Sequence, residues 1–251
     1  MFMSPLDQFE IKSLISLNTN ILGDIFNLHI TNYVMYMLMV LIIIINYNKL
    51  LGYNKLGSNR WGLSLLAMYD TMLNMVKSQM GNKGGMYFPL MFTLFNFMLL
   101  ANIISMIPYS FAMSAQIMAM MSLSTTLWLG LTIIGLFNHG LHFFSLFVPT
   151  GTPLALVPIL VLIETLSYSS KAISLGLRLS ANMLSGHLLM LILGSLIFNL
   201  MSSSILGFLG GFIPIAGVMA ITILEFAMAI IQAYVFCILF SGYLKDAIYL
   251  H

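Results

Sequence analysis

Apolar residues run along most of this chain in long blocks, and polar residues break them at few places. Residues 1–29 are mixed and polar, with Asp7, Glu10, Lys12 and Asp24. Residues 30–47 hold the first apolar run, from Val34 to Tyr47, just long enough to cross a bilayer. Residues 48–85 turn polar again. Within them Ser58 or Asn59 is placed to cap a helix. Trp61, Leu65, Met68, Met72, Met75 and Met80 then recur at near-helical spacing, while Arg60, Ser64, Asn74, Lys77 and Ser78 tend to the other side. This pattern predicts an amphipathic helix over 59–80 lying on a membrane surface. Residues 86–107 form a second span, ended by Pro108, and residues 115–136 a third. Residues 137–158 connect onward through Pro149, Pro153 and Pro158. His139 and His142 in that connection read as interfacial histidines, because a metal site needs more ligands.

The last third poses a length problem. No proline occurs between Pro158 and Pro214. A helix over 159–198 would be about 60 Å long at ~1.5 Å per residue, against a hydrocarbon core about 30 Å thick. Either the segment breaks near Gly186 or it lies steeply tilted. Residues 214–250 raise the same question. Ser202, Ser203 and Ser204 with Gly207, Gly210 and Gly211 mark a turn between them. The expected architecture is therefore an all-α integral membrane protein. It is a single membrane domain over 1–251, with spans, one surface helix and a long, tilted antiparallel hairpin.

Composition supports this and excludes much else. Hydrophobic residues make up 60% of the chain and charged residues 6%. Nine Lys+Arg and seven Asp+Glu cannot cover the surface of a soluble protein of 251 residues. Cys237 is the single cysteine, so no internal disulfide forms. Abundant Met, Ile and Asn with only two arginines suggest an AT-rich organelle genome. The start of the chain shows no signal or transit pattern.

Between Lys83 and Lys245 only Glu164, Lys171, Arg178 and Glu225 are charged. A charge at bilayer depth costs about 2.5–3.5 kcal/mol on insertion scales, so each is a functional candidate unless it snorkels or pairs. Glu164, Ser167, Lys171, Ser174, Arg178, Asn182 and Ser185 follow at steps of three and four residues, which keeps them on one helix face. A plain polar seam between helices would need no charges. Arg178 stays protonated at physiological pH, so it holds a fixed charge and carries no proton. Glu164, Glu225, His187 and Asp246 can exchange protons. They are spread along two helices, without a nucleophile triad, a phosphate loop or a metal cluster. The pattern points to ion conduction, with no catalytic residue, cofactor or metal expected.

At these residues a resemblance appears. Ser174-Leu-Gly-Leu-Arg178-Leu-Ser-Ala-Asn182 followed by Gly186-His187 resembles the signature of subunit a of F-type ATP synthases. Ser4-Pro-Leu-Asp-Gln-Phe-Glu10, Ile104-Ser-Met-Ile-Pro108-Tyr, the prolines 153–158 and Leu244-Lys-Asp246 resemble the fungal mitochondrial type. Lys171 departs from the arginine expected in yeast relatives. The resemblance implies a stator working against a rotating ring of c subunits, each with a carboxylate. Protons would enter one half-channel, ride the ring and leave by a second. Arg178 would separate the two. Glu225, His187, Asn182 and Gln232 would lie near the outer half-channel, and Glu164 with Asp246 near the matrix one. Other membrane-sector and peripheral-stalk subunits, and membrane lipid, are implied partners; no nucleic acid is. The implied location is the mitochondrial inner membrane, multi-pass. The subunit would not be catalytic by itself.

Lys/Arg excess in residues 48–85 puts that loop inside and the amino terminus on the intermembrane-space side, with the carboxyl terminus in the matrix. An ion-coupled transporter would normally show an internal repeat, which is not found here. A scaffold would not need charges on an apolar helix face. An antiparallel hairpin also gives a register. Glu164 with Asp246, Arg178 with Gln232, and Ser185 with Glu225 share one sum of residue numbers, so one alignment sets all three pairs face to face.

Overall fold

The computed structural model describes residues 9–18, 27–49, 60–107, 110–148, 153, 156–203 and 210–249. The cap at Ser58 or Asn59, Pro108, Pro149 and Gly207 of the expected turn lie outside these residues. Six α-helices dominate: α1 Asn32–Lys49, α2 Arg60–Met80, α3 Phe88–Ser105, α4 Ile117–His139, α5 Val157–Ser203 and α6 Phe212–Ile248. Short 3₁₀ turns follow α2 at Gly81–Met86 and α4 at Gly140–Phe147. The fold is an all-α membrane architecture, because α3, α4, α5 and α6 are each long and apolar enough to cross a membrane. α1 is 18 residues long and is not among these four. Asn32, Asn46, Asn48 and Lys49 at its two ends dilute its apolar centre.

The stretch read as simply polar, 1–29, also contains β-structure. Strand β1 (Ser13–Asn18) pairs antiparallel with β2 (Asn27–Thr31). Ile15 faces Ile30 and Leu17 faces Leu28, with Ser16 opposite His29 between them. Apolar and polar residues thus alternate in step on both strands, which is the pairing an antiparallel ladder favours. Asn32 ties the pair to α1. Its backbone N–H donates to the Lys12 carbonyl at 3.0 Å, and its side-chain amide donates to the Glu10 carbonyl at 3.0 Å.

α5 is one continuous helix of 47 residues with no break at Gly186, and α6 has 37 residues. At ~1.5 Å per residue they measure about 70 Å and 55 Å.

The chain divides into two compact units. The first comprises residues 1–64, 96–116 and 182–233. Here Tyr33, Tyr36, Val40 and Ile44 of α1 pack with Phe97, Leu100, Ala101 and Ile104 of α3. The steps of three and four along both helices explain the contact: each presents one stripe. A second cluster joins Ala112, Ala115, Met183 and Ala229, with Phe9 packed against it.

The second unit comprises residues 65–95, 117–181 and 234–251. Trp128, Phe143, Phe147 and Tyr168 form an aromatic cluster. The α2 stripe divides in its surroundings. Met72, Met75 and Met80 are buried in the protein. The Ser241 hydroxyl reaches the Met75 sulfur at 3.6 Å, and the Tyr249 hydroxyl donates to the Met80 carbonyl at 3.3 Å. Part of the face expected to meet the membrane is therefore covered by the end of α6. His139 Nε2–H donates to the Ile248 carbonyl at 3.0 Å, satisfying one of the free carbonyls at the end of α6.

Candidate functional site

In the second unit, the charged residues of α5 flank its buried face. Tyr168, Ala172, Leu175 and Leu179 are buried at helical spacing. Arg178 and Ser174 are exposed, and Glu164 and Lys171 are half-buried. The Arg178 Nη2 donates to the Ser174 hydroxyl one turn back at 3.4 Å. Exposed apolar residues, Ile173 and Leu177, lie near Arg178 as well. A guanidinium thus stands exposed between hydroxyl and apolar side chains.

Lys171 finds its own partner. Its Nζ lies 3.8 Å from Asp246 Oδ2. It also sits 5.3 Å from the centre of the Tyr243 ring and 5.9 Å from that of Tyr168. The register expected Asp246 opposite Glu164. The structure instead pairs Asp246 with Lys171, seven residues further along α5. Opposite charges and a long lysine arm favour that contact, whereas two carboxylates repel.

Gly176, two residues before Arg178, fixes the approach of α4. A Cβ there would lie 2.9 Å from the Met120 carbonyl oxygen. Only glycine lets the two helices come this close.

In the first unit three of the expected site residues are buried. His187 of α5 is 6% exposed, and Glu225 and Gln232 of α6 are both 8% exposed. The Glu225 carboxyl lies in the space left by Gly186, where any Cβ would run into it. Glu225 therefore meets α5 at Gly186, one residue beyond Ser185, the position that the register set opposite it. Asn182 is half-buried. Both Glu225 carboxyl oxygens and His187 Nε2 are buried without a hydrogen bond among the described residues. The Phe9 and His187 rings pack in a T-shaped arrangement, with centroids 6.3 Å apart.

Three further polar residues lie in this unit that sequence reasoning passed over. Asn102 of α3 is fully buried and its amide donates to the Ala229 carbonyl at 3.1 Å, one turn beyond Glu225. Its Oδ1 has no partner among the described residues. The Ser114 hydroxyl bonds to that of Ser105 at 3.1 Å, and Ser105 donates to the Asn102 carbonyl at 2.7 Å. An asparagine in the last turn of an apolar span was the available signal. Buried polar atoms are normally paired, so four without a partner among the described residues, on Asn102, His187 and Glu225, set this patch apart from an ordinary core.

One patch holds an exposed fixed cation, and the other a buried acid and imidazole without a hydrogen bond at Glu225 Oε1, Oε2 or His187 Nε2 among the described residues. Comparison with known proteins agrees with that chemistry. Residues 30–245 match the family model described as ATP synthase A chain. The chain belongs to the ATP synthase A chain family. It is 64% identical to ATP synthase subunit a of Candida parapsilosis over 251 residues, the whole of both chains. It is 63% identical to that of Debaryomyces hansenii, again over both whole chains. Against ATP synthase subunit a of Saccharomyces cerevisiae it is 54% identical over 250 residues, 99% of this chain and 96% of the relative. The stretch matched by the ATP synthase A chain model contains Glu164, Lys171, Arg178, Asn182, His187, Glu225 and Gln232, and stops one residue before Asp246.

Proposed function

We propose that this chain is the proton-conducting stator of the membrane motor of an F-type ATP synthase in the mitochondrial inner membrane. The observation that carries the reading is Arg178, a permanent cation exposed on a helix long and apolar enough to cross a membrane, with exposed Ile173 and Leu177 near it and the Ser174 hydroxyl beside it. In lipid such a charge is expensive. Facing a carboxylate of another subunit, it is compensated. A ring of c subunits, each with one carboxylate, fits that requirement.

The chemistry then follows. A ring carboxylate turned toward lipid must be neutral, because an ionised one is costly to bury. Opposite Arg178 its ionised form is favoured, so it gives up its proton there. The fixed charge also repels a proton moving straight across. Two offset half-channels result, with Arg178 between them. Glu225, His187, Asn182 and Gln232 serve the outer one. Glu164 and Asp246 serve the matrix one, with Lys171 as the counter-ion of Asp246. Proton flow through both turns the ring and couples to ATP synthesis. The chain acts as one multi-pass membrane domain beside peripheral-stalk and other membrane-sector subunits. Its amino terminus lies toward the intermembrane space, with α2 and the carboxyl terminus on the matrix side.

Arg178→Ala tests this. The assembled complex should lose ATP synthesis and ATP-driven proton pumping. Arg178→Lys should fail too, because a compact ammonium does not reproduce the planar fork. Normal pumping by an assembled Arg178→Ala complex would overturn the reading.

A further inference from the structure

Among the described residues, the amino-terminal segment meets the buried patch at Phe9, and that contact is fixed from both sides. The Phe9 and His187 rings meet edge to face, at an interplanar angle of 74°. The same ring joins the cluster of Ala112, Ala115, Met183 and Ala229, between α5 and α6 within the first unit. Its backbone is pinned as well. Gln116 Nε2 donates to the Phe9 carbonyl at 2.6 Å. From Glu10 onward the segment is held by Asn32, whose Oδ1 accepts from the Lys12 backbone N–H at 3.3 Å. Strand pairing with β2 follows immediately. The ring is therefore held at its carbonyl by Gln116 and through the next residues by Asn32.

His187 needs such a neighbour. It is nearly inaccessible, yet its Nε2 has no hydrogen bond among the described residues to fix the ring. An imidazole without that anchor is oriented by packing alone. An aromatic ring set edge-to-face with it supplies a directional contact beyond burial. The adjacent Gly186 is where the Glu225 carboxyl sits, so a change in the His187 ring alters the wall beside that carboxyl.

We infer that Phe9 is a positioning residue for His187, and that residues 9–12 form a strap clamped by Gln116 and Asn32 that holds the imidazole beside Glu225. This rests on the proton-path reading of His187 and Glu225. It assigns a role to residues outside the stretch 30–245 that defines the family match.

The test uses the assembled complex in vesicles, with ATP-driven proton pumping normalised to assembled complex. Phe9→Leu keeps apolar bulk and removes the ring. Gln116→Met releases the Phe9 carbonyl and touches neither ring. Each is made alone and together with His187→Ala, and Phe9→Tyr serves as the conservative control. Phe9→Leu and Gln116→Met should each lower pumping about three- to tenfold, the rate equivalent of one lost ring-edge contact. Phe9→Tyr should pump at the unaltered rate. In the His187→Ala background neither change should cost anything further, because residues that act through one group are not additive. Unaltered pumping in both single variants would overturn the inference, as would an equal further loss on top of His187→Ala. If Phe9→Leu fails to assemble, Gln116→Met decides by the same two readings. Full pumping by His187→Ala alone would instead sink the proton-path role of His187, and the inference with it.

Discussion

The two polar patches solve opposite problems. Around Lys171 and Asp246 the charges are paired, half-exposed and cushioned by Tyr168 and Tyr243. Around His187 and Glu225 the groups are buried, and His187 Nε2 and both Glu225 carboxyl oxygens have no hydrogen-bond partner among the described residues. Each buried polar atom left unpaired costs ~1–3 kcal/mol, so the second patch is a poor way to hold a fold together. The first patch is stable as it stands and should tolerate alteration. The second depends on every wall being in place, and should lose function before it loses structure.

Three changes sharpen that contrast. The largest effect should come from Gly186→Ala. Its new Cβ runs into the Glu225 carboxyl, which is the free end of a flexible side chain and can swing away. The complex should assemble normally while proton pumping falls by at least about tenfold, since small displacements of a reacting group cost that much or more. Normal pumping by Gly186→Ala would show that the carboxyl position is not critical. Next comes Met72→Asp on α2. Its side chain is fully buried, and an unpaired carboxylate there costs several kcal/mol. The yield and thermal stability of the complex should drop sharply, whereas Trp61→Ser, 60% exposed at the other end of the stripe, should leave them nearly unchanged. Equal losses would show that both ends of α2 are covered. The smallest effect belongs to Lys171→Met. A half-exposed pair contributes ~0.2–1 kcal/mol or less after screening, so ATP synthesis should fall no more than a few-fold, with Lys171→Arg indistinguishable from the unaltered chain. A loss as deep as that of Gly186→Ala would erase the distinction between the patches.

What the sequence made legible was charge against apolar background. Arg178, Glu225 and the α5 stripe stood out because few charged residues lie in the last two-thirds of the chain. The long helices were legible from uninterrupted apolar runs. Asn102 and Ser105 were not, because uncharged polar residues are common in membrane helices and carry no length or periodicity cue. The strand pair was hidden by its shortness, with only five or six residues per strand. The α2 stripe revealed an apolar face but could not reveal that Ser241 and Tyr249 reach it, since amphipathicity specifies burial and not the burying partner. The register failed at Asp246 for a related reason. Counting residue numbers treats all polar pairs as equal, and it is the sign of the charge that chose Lys171 over Glu164.

One feature of α5 also has a mechanical meaning. Gly176 presses backbone against α4, near Ser124 and Met120, and Arg178 is two residues further on. At about 100° per residue this puts the arginine on nearly the opposite side of the helix. Any lateral push delivered at the guanidinium is therefore received by a buttress almost directly behind it. A long helix gripped through flexible side chains would bow under such a load. Contact at the level of the main chain has almost no give, so α5 behaves there as a braced beam, and the position of Arg178 is set by the stiffness of α4.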